Sequence, residues 1–96
     1  VRFIQGDARK VCESLKGEGQ RFELCLADPP RAGAPGLARQ VSALGVKRVV
    51  YVACDPASLA RDAAGLVEAG YKPLALQVVD MFPQTHHVEA VMSFER

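Results

Sequence analysis

Arg48-Val49-Val50-Tyr51-Val52-Ala53, followed at once by Cys54-Asp55-Pro56, is the stretch that decides the fold. A run so rich in β-branched and aromatic side chains predicts a strand over 48–53. It breaks where Asp55 offers an N-cap and Pro56 suits the first helical position, so a helix of about 14 residues begins there and stops at Gly70. Its inward stripe reads Leu59, Ala63, Leu66 and Val67. The same alternation continues outward. Upstream, Phe22 to Ala27 predicts a strand apolar enough to be covered on both faces, ended by Asp28-Pro29-Pro30. Arg31 to Gly36 is a loop by composition, and Leu37 to Leu44 is a short helix closed by Gly45. Further upstream, Arg2 to Gln5 reads as a strand and Ala8 to Leu15 as a helix with Ala8, Val11, Cys12 and Leu15 on one side. Downstream, Tyr71 to Val79 and His87 to Phe94 read as strands whose connection suits an antiparallel pair at one sheet edge. Strand and helix periods in alternation predict an α/β domain with a mostly parallel sheet and an antiparallel terminal strand.

Composition bounds the function. The 96 residues are 49% hydrophobic and 24% charged, the profile of one small globular domain. A formal charge of +1 argues against a strongly basic RNA-clamping module. The longest apolar run, Val49 to Cys54, is far short of the roughly 20 residues that cross a bilayer, so the expectation is a soluble, cytoplasmic protein without a membrane partner. Cys12, Cys25 and Cys54 contain no C-x-x-C pair and are odd in number, which fits neither a disulfide framework nor a zinc ribbon. The chain opens on Val1, already inside a strand-like run, and reads as a piece of a longer protein.

In open α/β sheets ligands bind where loops leave the carboxyl ends of strands. Gly6-Asp7, Asp28-Pro29-Pro30-Arg31 and Cys54-Asp55-Pro56 all fall there. Asp28 is either a turn former or an acidic group held at the sheet rim by two prolines without N–H donors. Arg31 either clamps an anion or faces water. Cys54, between a strand end and a helix start, is either a nucleophile or a buried small hydrophobe, the reading preferred for Cys12 and Cys25. His86 and His87 are neighbours in an extended segment and point to opposite faces, so no metal site is expected. Glu89, among Val88, Ala90 and Val91, is either a surface residue or a partly desolvated base.

Three blocks in order carry a resemblance: Asp28-Pro29-Pro30-Arg31-Ala32-Gly33; Tyr51-Val52-Ala53-Cys54-Asp55-Pro56 with Leu59-Ala60-Arg61-Asp62; and Asp80-Met81-Phe82-Pro83-Gln84-Thr85-His86-His87-Val88-Glu89. The sequence resembles the RNA uridine-C5 methyltransferases, which form 5-methyluridine in transfer and ribosomal RNA with S-adenosylmethionine. The likeness is to the C-terminal half of a Rossmann-like class I methyltransferase domain. It implies that Cys54 attacks C6 of uracil and that Glu89 later removes the C5 proton. Asp28 then belongs to the cofactor and target-base pocket, Asp7 contacts the adenine side of the cofactor, and Arg31, Gln84 and His86 are substrate-pocket candidates. The family's glycine-rich cofactor loop has no match here, because Gly17-Glu18-Gly19 follows a helix, and its RNA-binding barrel is likewise unmatched.

Two rivals are kept. One is an amino-group methyltransferase of the Asp-Pro-Pro type, although Arg31 stands where that type has an aromatic residue. The other is a non-catalytic α/β binding module. A truncated sheet would also expose an edge and an apolar face, with self-association as the expected result. Without the cofactor loop, residues 1–96 alone are expected to transfer no methyl group; turnover above background by the isolated chain, assayed with labelled cofactor and RNA, would contradict this.

Overall fold

The structure, a computed structural model, describes residues 4–80 and 88–96. Within them the order is α1 (Ala8–Gly17), β1 (Leu24–Ala27), α2 (Leu37–Ala43), β2 (Arg48–Ala53), α3 (Pro56–Glu68), β3 (Lys72–Asp80) and β4 (Val88–Glu95). The strands form one sheet in the order β1-β2-β4-β3. β1 runs parallel to β2, with Ala27 opposite Tyr51, while β4 is antiparallel to both β2 and β3. The α/β class and the antiparallel terminal strand are as the sequence predicts. The neighbour order differs: β4 enters between β2 and β3, so β3 forms the edge and the last strand is internal.

Side chains alternate across a strand, and the register shows which set each face carries. Val49, Tyr51 and Ala53 of β2 are buried, and they pair with Phe94, Met92 and Ala90 of β4. This face receives Leu37, Val41 and Leu44 from α2, Leu66 from α3 and the partly buried Cys12 and Leu15 of α1. The opposite face, with Leu24, Leu26, Val50, Val52 and Val91, receives no helix from the described residues. Leu24 is therefore 60% and Leu26 70% exposed, which corrects the expectation of a β1 covered on both faces.

Two further corrections are local, and β3 adds an irregularity of its own. Ile4 and Gln5 form no strand and pair with none of β1 to β4; Val1–Phe3 lie outside the described residues. Val67 is 51% exposed, while Leu59, Ala63 and Leu66 pack on the core as predicted and are joined by the buried Ser58 and Asp62, spaced four apart with Leu66. β3 carries a register shift between Pro73 and Ala75. Elsewhere the predicted boundaries move by about two residues or fewer, within ordinary fraying of element ends. Asp55 is the N-cap of α3 with Pro56 at the helix start, as predicted, but its carboxylate accepts from no backbone N–H and lies 2.9 Å from Ser58 Oγ.

Leu66 is fully buried where α3 meets the sheet. Leu66→Ala should cost about 3 kcal/mol, seen as a lower denaturant midpoint at unchanged m-value.

Candidate active site

The three residues with the most direct chemistry stand at one end of three neighbouring strands. Asp28 follows β1 directly and Cys54 follows β2 directly, the two strands running parallel. Glu89 lies next to Ala90, which pairs with Ala53, the residue before Cys54. A ladder pair about 5 Å apart plus two chain steps of about 3.8 Å bounds the Cys54–Glu89 Cα separation at about 13 Å. The insertion of β4 beside β2 is what makes this possible. Glu89 is half-buried, and by alternation with Ala90 it lies on the helix-free face. Cys54 is exposed in the bend between β2 and α3, so it is not a buried small hydrophobe. Cys12 and Cys25 are half-buried, and burial pushes both thiols above the ordinary range.

Asp28 also faces a second element. An open cleft of about 670 Å³ runs between the start of α1 and the β1–α2 loop, lined among others by Asp7, Arg9, Leu26, Asp28, Pro30 and Ala34. That volume lies in the range of small-molecule sites. Asp7 caps α1, its Oδ1 accepting from the amides of Arg9 at 2.9 Å and Lys10 at 3.3 Å. Asp28 has no hydrogen-bond or ionic partner among the described residues, and neither does the exposed Arg31 side chain. Gln84 and His86 lie outside the described residues.

The loop that carries Asp28 and Arg31 is held from outside itself. Pro29, Pro30 and Pro35 remove backbone donors, so few internal hydrogen bonds are open to it. Helix α3 supplies the missing partners. Ser58 Oγ donates to the Arg31 carbonyl at 2.7 Å and stands 2.9 Å from Asp55 Oδ2. Arg61 Nη2 donates to the Ala32 carbonyl at 2.6 Å. Asp62 Oδ2 accepts from the Ala34 amide at 2.7 Å and from the Tyr51 hydroxyl, while its Oδ1 faces the Arg61 guanidinium at 3.3 Å. Gly33 lies so close to α3 that a Cβ would stand 2.4 Å from Arg61 Nη2 and 2.7 Å from Asp62 Oδ2, and its φ of +82° also disfavours a side chain. The sequence carries Asp62 within the second resemblance block but gives neither it nor Ser58 a role; the available signal is their spacing of four with Leu66 on one helix face.

The profile of the family described as tRNA (Uracil-5-)-methyltransferase matches residues 10–96. The chain is 52% identical over 96 residues to the 23S rRNA (uracil(1939)-C(5))-methyltransferase RlmD of Vibrio parahaemolyticus, covering 100% of this chain and 22% of that protein. It is 47% identical over 95 residues to the enzyme of the same name from Pseudomonas aeruginosa, covering 99% of this chain and 21% of that one. It thus spans about one fifth of the length of these curated relatives. Among solved structures, the Pyrococcus abyssi tRNA (uracil-54, C5)-methyltransferase in complex with S-adenosyl-L-homocysteine matches with a TM-score of 0.67 and 37% identity, over 78% of this chain and 19% of that chain. The M1.HpyAVI–SAM complex matches with a TM-score of 0.73 at 16% identity, over 94% of this chain and 52% of that one, a likeness of fold alone.

The buried network has a spectroscopic signature. The chain has 2 tyrosines, Tyr51 and Tyr71, each 1% exposed. Burial, and for Tyr51 also its bond to the Asp62 carboxylate, pushes both phenols above their ordinary value. A raised folded-state pKa contributes stability that is present below the unfolded value of about 10 and is lost as pH rises beyond it. Alkaline titration should therefore show no phenolate absorbance while the chain is folded, with its appearance coinciding with loss of helical circular dichroism. Phenolate forming near pH 10 in a folded Tyr71→Phe chain, where Tyr51 is the remaining phenol, would count against the buried Tyr51–Asp62 bond.

Proposed function

Because the chain belongs to the tRNA (Uracil-5-)-methyltransferase family, we propose that residues 1–96 furnish the base-activating part of an S-adenosylmethionine-dependent RNA uracil-C5 methyltransferase. The observation that carries this reading is the placement of Asp28, Cys54 and Glu89 at one end of β1, β2 and β4. The bound cofactor would supply an electrophilic methyl group. The cleft suits it: Asp7 and Asp28 line one concave site beside an apolar strand end, and Asp28 has no described protein partner.

Uracil C5 is a weak nucleophile. Addition of the Cys54 thiolate at C6 breaks the C5–C6 double bond and places the electron pair on C5, which then takes the methyl group. Glu89 accepts the C5 proton, the double bond re-forms and the Cys54 sulfur leaves as thiolate. The uridine has to leave its stack, because the ring faces are otherwise covered. We assign Asp28 and Arg31, on the loop after β1, to hold the extruded ring and its flanking phosphate. Gln84 and His86 are assigned to the same pocket from the sequence resemblance alone. Transfer to an amino group would use neither Cys54 nor Glu89, and a binding module would need no such pairing.

The substrate we favour is ribosomal RNA, supported by identities of 47% and 52% to ribosomal enzymes against 37% to the transfer-RNA enzyme. Such a substrate places the activity in the cytoplasm. In the full-length enzyme carrying this segment, RNA with 5-fluorouridine and cofactor should give a covalent protein–RNA adduct that mass spectrometry maps to Cys54, because fluorine cannot leave C5 as a proton. Cys54→Ala should abolish it. Cofactor binding with no adduct would redirect the assignment to amino-group transfer.

A further inference from the structure

The proposed chemistry leaves unused the two polar residues that are most deeply buried among the described ones. Ser58 is 8% and Asp62 7% exposed, one turn apart on α3. Both direct their polar atoms at the β1–α2 loop, Ser58 at the Arg31 carbonyl and Asp62 at the Ala34 amide. Cys54 stands just ahead of the same helix and Asp28 opens the same loop. On the reading given above, we propose that Ser58 and Asp62 are positioning residues that fix the distance between Asp28 and Cys54, so that cofactor, uracil ring and thiol meet in line.

Three observations support a positioning role over generic stabilisation. The anchors grip the loop backbone, which is the part whose displacement moves Asp28 and Arg31 together. Tyr51 of β2 donates to the same Asp62 oxygen as Ala34, so strand, helix and loop share one acceptor. Gly33 permits no Cβ between loop and helix, so the separation is set at contact distance. A misplacement of about 1 Å at reacting groups can cost on the order of 100-fold in rate.

The test is steady-state kinetics of the full-length enzyme with Ser58→Ala, Ser58→Thr and Asp62→Asn, corrected for the folded fraction. Ser58→Ala should lower kcat about 10-fold with KM for RNA little changed, Ser58→Thr should restore it by returning the hydroxyl, and Asp62→Asn should lower kcat on the order of 100-fold. Lower thermal stability with kcat per folded molecule unchanged would overturn the inference and leave the functional reading standing. Should Asp62→Asn fail to fold, the Ala and Thr pair at Ser58 decides alone. No methyl transfer to uracil by the unsubstituted enzyme would sink the functional reading, and this inference with it.

Discussion

Asp62 projects a carboxylate into the seam where α3, β2 and the β1–α2 loop meet, and the arrangement of the strand ends depends on it. A charge withdrawn from water in this way is tolerated only when its oxygens are occupied. Here one oxygen takes the Ala34 amide and the Tyr51 hydroxyl, and the other faces Arg61, whose guanidinium also binds the loop at Ala32. Removing any partner would leave the rest under-bonded, so the loop cannot drift from the helix without breaking several contacts together. The prolines make this dependence stronger, since they stiffen the loop and also take away donors it would use to hold itself.

The second constraint is topological. A strand added outside β3 would leave the whole of β3 between Glu89 and Cys54. Entry of β4 between β2 and β3 places Ala90 against Ala53 and brings an acidic side chain to the end of the strand that delivers the thiol. Proximity of this kind is set by hydrogen-bond register and needs no contact between the two side chains.

Much of this was legible in the sequence. Strand and helix periods give the element order, Asp55-Pro56 marks the start of α3, and the last two apolar runs form the expected antiparallel pair. Asp28 and Cys54 were both placed at strand ends, where they stand. Neighbour order was not legible, because a linear pattern reports elements and not which gap a strand fills. Ser58 and Asp62 escaped for another reason. Polar residues on a helix are taken to face water, and only a loop 28 residues away from Asp62 in sequence shows that this one does not. The exposure of Leu24 and Leu26 was hidden in the same way, since an apolar strand demands cover and says nothing about which segment supplies it.

The two borders of the sheet are unlike. On β3, Lys72 and Pro73 precede a register shift, and proline offers no N–H to an incoming backbone. Irregular, proline-bearing borders of this sort discourage further pairing. On β1, Leu24–Ala27 contains neither proline nor irregularity, and its outward backbone groups are spaced for another ladder. Among the described residues the two borders thus differ in kind: that of β3 starts on a proline-bearing irregular stretch, and that of β1 is the regular strand leading into Asp28.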